Sequence, residues 1–99
     1  MEEKEIKILK FVFVLNVNGM WDYEQTNSCS VFDDFDKAKE EYLEQVKLAK
    51  EDMLNFVDKE DIEFEENGSN TDYLEFSIYE KGDYTKNHCD IKVNKLEVL

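Results

Sequence analysis

The chain has 99 residues, with 12 lysines, no arginine and 25 acidic residues, for a formal net charge of −13. That charge excludes a nucleic-acid binder working by phosphate neutralisation and argues against an anionic membrane surface. With 41% hydrophobic and 13% aromatic residues, the chain is too apolar for a disordered acidic tail, and its length fits a single domain over residues 1–99.

Residues 5–17 read as a strand. Phe11 to Leu15 is a β-branched and aromatic run. Both faces are apolar: Ile6, Ile8, Val12 and Val14 on one, Leu9, Phe11, Phe13, Leu15 and Val17 on the other. That pattern belongs to a central strand covered on both sides. Asn18-Gly19 is a strong hairpin signal. Residues 20–32 then alternate, with Trp21, Tyr23, Cys29 and Val31 expected on one face. A two-residue turn at Asn18-Gly19 pairs Val14 with Tyr23, and a three-residue turn pairs Val17 with Trp21. Both registers align apolar groups, so the sequence does not choose between them.

Residues 33–57 read as an amphipathic helix, with Asp33 as N-cap and Ala38, Tyr42, Val46, Ala49, Met53 and Val57 as one apolar stripe. Lys37, Glu40, Glu41, Glu44, Lys47 and Glu51 take the opposite side. Residues 61–66 alternate as a strand with Ile62 and Phe64 inward. Asn67-Gly68-Ser69-Asn70 marks a turn, and 71–80 another strand, with Leu74, Phe76 and Ile78 on one face and Tyr73, Glu75, Ser77 and Tyr79 on the other. A loop around Lys81-Gly82-Asp83-Tyr84 leads to a last strand, 88–98, in which Cys89, Ile91 and Val93 alternate with polar residues.

The order ββαβββ predicts an α+β fold: one antiparallel sheet with one long amphipathic helix packed on one face. A single helix covers a single face, while the first strand is apolar on both. The second face is therefore expected to meet a homodimer partner, another protein, or the sheet's own curvature.

No arrangement of chemical groups points to catalysis. His88-Cys89-Asp90 alternates across a strand, so Cys89 points away from His88 and the pair cannot make a nucleophile and base. One histidine is too few for an ordinary zinc site. Asp58-Lys59-Glu60-Asp61 and Asn67 to Asp72 are rich in oxygen but lack EF-hand spacing. No Gly-rich phosphate loop is present. The sequence is therefore read as a non-enzyme with no metal and no cofactor. Cys29 and Cys89 are expected to be reduced. The acidic start Met1-Glu2-Glu3-Lys4-Glu5 lacks the regions of a signal peptide, and no apolar run is long enough to span a bilayer. A cytoplasmic location is the expectation.

The unusual feature is the acidic surface. Six of the nine residues 58–66 are acidic. Rows of carboxylates can imitate a phosphate backbone and occupy a basic groove; the plain alternative is a solvated face that keeps the chain soluble. The expected partner-binding set is Glu40, Glu41, Glu44, Glu51 and Asp52 on the helix, with Asp58, Glu60, Asp61, Glu63, Glu65 and Glu66 after it. Trp21, Tyr73, Tyr79 and Tyr84 are the candidate aromatic anchors.

Two stretches, Val31-Phe32-Asp33-Asp34-Phe35-Asp36-Lys37-Ala38-Lys39-Glu40-Glu41-Tyr42 and Tyr79-Glu80-Lys81-Gly82-Asp83-Tyr84-Thr85-Lys86-Asn87-His88, resemble small acidic uncharacterised α+β proteins encoded by phages and integrated elements of gut bacteria. The resemblance covers about a third of the chain and carries no catalytic residues. It implies an accessory protein that binds a host protein stoichiometrically, for example as inhibitor or nucleic-acid mimic of a nucleic-acid-handling enzyme such as a defence nuclease. The expected partner is thus a basic protein surface. Direct nucleic-acid and membrane binding are not expected, and a homodimer through the open sheet face is one of the alternatives left open. The competing readings are a small dimeric ligand-binding module and an orphan structural domain.

Overall fold

The computed structural model describes residues 10–68 and 72–98, without the side chains of residues 83–85. The order is β1 (Lys10–Trp21), β2 (Glu24–Phe32), α1 (Phe35–Leu54), a short 3-10 turn (Lys59–Asp61), β3 (Ile62–Gly68), β4 (Tyr73–Glu80) and β5 (Asp83–Val98). The five strands form one sheet in the order β2-β1-β5-β4-β3. Every neighbouring pair is antiparallel. This is the α+β arrangement that the hydrophobic periods imply. Ile6, Ile8, Leu9, Ser69 and Asn70 lie outside the described residues.

The helix stripe is buried as its spacing requires: Ala38, Tyr42, Val46, Ala49 and Met53 face the sheet, and Val57 is buried beyond the helix end. From the sheet, β1 contributes Phe13 and Leu15, β4 Phe76 and Ile78, and β5 Cys89, Ile91 and Val93. These form one core between helix and sheet. α1 begins one residue later than the sequence suggests. Asp34, in extended conformation, caps it by accepting the Asp36 N–H at 2.7 Å. Asp33 instead pairs with Lys37 at 3.5 Å. The helix stops at Leu54, and Val57 enters the core through a turn in which the Val57 N–H donates to the Met53 carbonyl at 2.9 Å.

The first hairpin differs from both expected registers. Its turn is Asp22-Tyr23, not Asn18-Gly19, and it pairs Trp21 with Glu24, Gly19 with Thr26, Val17 with Ser28 and Val14 with Val31. Asp22 and Tyr23 have φ of 53° and 70°, the double left-handed geometry of a tight two-residue hairpin. Their N–H groups find partners on β5: Asp22 donates to Asn87 Oδ1 at 2.8 Å, and Tyr23 to the Lys86 carbonyl at 3.4 Å. Gly19 stays inside β1 for a packing reason. A Cβ there would lie 2.9 Å from Thr26 Oγ1 and 3.0 Å from Trp21 Nε1, so the missing side chain makes room for the indole. Trp21 consequently lies on the helix side, stacked on Phe56 at 6.0 Å, while Cys29 and Val31 lie on the other side of the sheet; the expected common face is corrected.

Two smaller corrections concern the second half. The loop expected over residues 81–84 contracts to Lys81-Gly82, with Gly82 at φ 82°, and β5 starts at Asp83 instead of residue 88. Phe64 does lie on the helix side, but on the edge strand β3 the residue stays 52% exposed. It packs on Phe76 at 5.8 Å, with Lys50 Nζ 4.7 Å above its centroid.

Candidate functional site

Because side chains alternate along each strand, the pairing fixes what the uncovered face presents. It reads as rows across β3, β4, β5, β1 and β2. One row runs Glu63, Tyr79, His88, Met20, Gln25, and the next Glu65, Ser77, Asp90, Asn18, Asn27. A third runs Asn67, Glu75, Lys92, Asn16, Cys29, and Tyr73, Asn94, Val14 and Val31 follow. Beyond them Leu96 pairs with Val12 and Val98 with Lys10. The face is thus polar and acidic at the β3–β4 corner and apolar at the opposite corner. The sequence, read from β1 alone, predicts an apolar second face throughout. Asn16 and Asn18 end that character halfway along β1, and β5 places His88, Asp90 and Lys92 beside it.

The polar corner is ordered by its own contacts. Ser77 Oγ donates to Asp90 Oδ1 at 2.7 Å, and His88 Nδ1 lies 4.0 Å from Asp90 Oδ2. The Tyr79 hydroxyl donates to Glu65 Oε2 at 3.2 Å. Glu75 accepts from the Tyr73 hydroxyl and pairs with Lys92 Nζ at 3.4 Å. The Tyr73 hydrogen bond, then Lys92, holds the Glu75 carboxyl below its usual range, and the same bond raises the Tyr73 phenol. The carboxylates of this corner stand at strand spacing, roughly 4.8 Å between neighbouring strands and 6.8 Å along one.

The acidic residues expected to act together fall into separate groups. Glu63 and Glu65 lie on the uncovered face with Tyr73 and Tyr79. Glu66 points to the helix side. Glu40, Glu44 and Glu51 are exposed on the helix crest, across the sheet from that face. Glu41 is half-buried and accepts from Gln45 Nε2 at 2.8 Å. Asp52 is exposed on the helix. Asp58, Glu60 and Asp61 surround the 3-10 turn, where Lys81 N–H donates to the Asp61 carbonyl at 2.7 Å. Trp21 is partly buried against the core on the helix side, on the opposite face of the sheet from Tyr73 and Tyr79. The Tyr84 side chain lies outside the described residues. Asp90, Glu75 and His88 are not in the expected partner-binding set, although the strand alternation already sets Glu75 with Tyr73 and Tyr79. Their period-two positions carry the signal, but the strand neighbours that bring them beside Glu65 and Tyr79 do not follow from one sequence.

On the helix side, Lys39, Tyr42, Leu43, Glu66 and Leu74 line much of an open cleft of about 340 Å³. Burial, then the fields of Glu66, Glu75 and Tyr73, pushes the Tyr42 phenol up to about 12. It therefore serves as a neutral hydroxyl. Burial, then the fields of Asp90 and Asp52, likewise pushes the Cys89 thiol up to about 12, which makes it a poor nucleophile. His88 points to the opposite face. Among the described residues, no group of three or more His, Cys, Asp or Glu converges on a metal-sized position. No helix of the described residues is long and apolar enough to cross a membrane.

Comparison with protein-family models, with curated proteins and with solved structures finds no match to this chain.

Proposed function

We propose that the chain is a non-enzymatic binding protein that docks its uncovered sheet face on a basic protein surface, of the kind that nucleic-acid-handling proteins present. The observation that carries the reading is the juxtaposition of Glu63, Glu65, Glu75 and Asp90 with Tyr73 and Tyr79 on three adjacent strands. Carboxylates at strand spacing meet lysine and arginine side chains, and phenolic rings supply contact area at low entropic cost. The apolar corner of Val12, Val14, Val31 and Leu96 lies diagonally across the sheet from this patch. The helix crest carries carboxylates too, but Lys37 and Lys47 share it.

The test separates this face from bulk charge. Proteins eluted from heparin are offered to wild type, to Glu63→Lys/Glu65→Lys, and to Glu40→Lys/Glu44→Lys; the two variants change net charge equally. Wild-type retention should fall steeply with salt. The sheet-face variant should lose it, and the helix-crest variant should keep it. Equal behaviour of the two variants, or retention indifferent to salt, overturns the reading.

A further inference from the structure

The two edges of the sheet are built differently. β3 carries Glu63, Glu65 and Glu66 along its seven residues. Such charges prevent an edge strand from pairing with another chain. β2 has no such protection. From Gln25 to Phe32 it runs Gln-Thr-Asn-Ser-Cys-Ser-Val-Phe, eight residues without a charge in a chain of net charge −13. It holds no proline, and its register with β1 is unbroken from Phe13–Phe32 to Trp21–Glu24. Residues Glu24 to Val31 are all exposed, and α1 lies chiefly over β5, β1 and β4.

The hairpin determines which backbone groups are open. In a two-residue hairpin the residues flanking the turn exchange both hydrogen bonds, and bonded pairs alternate from there. Glu24, Thr26, Ser28, Ser30 and Phe32 thus turn their N–H and C=O groups to β1. Gln25, Asn27, Cys29 and Val31 turn theirs outward.

We propose that β2 pairs antiparallel with β2 of a second copy, about a two-fold axis at Ser28, joining two five-stranded sheets into one. In that register Gln25 meets Val31 of the other copy and Asn27 meets Cys29. All four outward residues of each strand are used, giving eight backbone hydrogen bonds. Glu24 falls opposite Phe32, so no strand carboxylate faces another. The second copy is favoured as occupant because this edge matches itself. Two strongly anionic chains can approach closely only where charge is absent, whereas a basic partner would be drawn to the carboxylates elsewhere. The two helices end on the same side of the joined sheet, away from the axis. This edge is separate from the face assigned to a basic partner, and its salt response has the opposite sign. Screening weakens the repulsion between copies and strengthens the dimer.

Sedimentation equilibrium over a concentration series, at low and high salt, tests the pairing. Wild type should reach twice the monomer mass, more readily at high salt. Asn27→Pro removes an outward N–H that β1 does not use and should give a monomer with an unchanged circular dichroism spectrum. Ser28→Lys, which sets two ammonium groups across the axis, should raise the dissociation constant at least about tenfold. Ser28→Cys/Cys29→Ser should form an intermolecular disulfide on mild oxidation, since facing non-bonded residues stand about 4.5 Å apart between Cα atoms. A wild type that stays monomeric throughout, an Asn27→Pro variant that still dimerises, or absence of the Ser28→Cys cross-link overturns the proposal.

Discussion

Asn87 holds Asp22 in place across 65 residues of sequence: its Oδ1 accepts the Asp22 backbone N–H at 2.8 Å, and its Nδ2 donates to Glu80 Oε1 at 3.1 Å. Asn87 is 1% exposed, the one buried polar side chain among the described residues. It ties the tip of the first hairpin to the end of β4. Asn87→Leu keeps the volume but leaves the Asp22 N–H without its partner. It should cost about 1–3 kcal/mol of unfolding free energy, read from urea denaturation. Asn87→Asp keeps the acceptor but sets a carboxylate beside Glu80, and should destabilise as well.

Gly19 and the single tryptophan form a second coupled pair. Gly19→Ala would bring a methyl to 3.0 Å from the Trp21 indole nitrogen and push the ring off Phe56. Trp21 emission should shift to the red and stability should fall, as both rings lose their contact. Unchanged emission would mean that the indole does not lie over Gly19.

The left-handed turn at Gly82 makes a simpler claim. A Cβ there meets nothing within 4 Å, so the cost of Gly82→Ala is backbone strain alone, about 1–2 kcal/mol. Gly82→Asn should lose less, because asparagine tolerates that conformation better. Thermal melts of the two variants compare them directly.

The two cysteines should differ in reactivity. Cys29 is exposed and Cys89 is 3% exposed, with its thiol pushed up to about 12. A thiol reagent at pH 8 should label one equivalent in the native protein, lost in Cys29→Ser, and a second only on unfolding. Rapid labelling of both in the native state would contradict the burial of Cys89.

Tyr42 sets an alkaline limit. Its phenol rises to about 12 in the folded chain, against about 10 unfolded. Below pH 10 both states hold the proton and the contribution is complete. As pH climbs from about 10 toward 12 the unfolded chain ionises first, so stability falls. Urea midpoints across this window should fall less steeply in Tyr42→Phe. Glu75 acts in the opposite direction. Its lowered carboxyl favours the fold above its unfolded value and loses that effect as pH falls through the folded one.

Much of this architecture is written in the hydrophobic periods. The helix stripe from Ala38 to Met53 and the alternations in β4 and β5 read directly, because each element buries one face against one core. The hairpin register did not, because β1 is apolar on both sides and tolerates any slip. What fixes it, Asn87 and Lys86 meeting Asp22 and Tyr23, lies more than 60 residues away. The uncovered face was unreadable for the same reason. Each strand shows its own alternation, but which carboxylate stands beside which tyrosine depends on strand order. Trp21 was misplaced because its partner, Phe56, comes from the turn beyond the helix.

The strand order also carries a consequence for synthesis. β1 emerges from the ribosome early, yet its inner neighbour is β5, whose pairing runs from Lys10–Val98 to Trp21–Asn87. Until β5 is translated, the greasiest ribbon of the chain has a bare flank and no way to seal it. Native pairing of β1 therefore waits for β5, and a nascent chain stalled before residue 83 is the species that chaperones must shield.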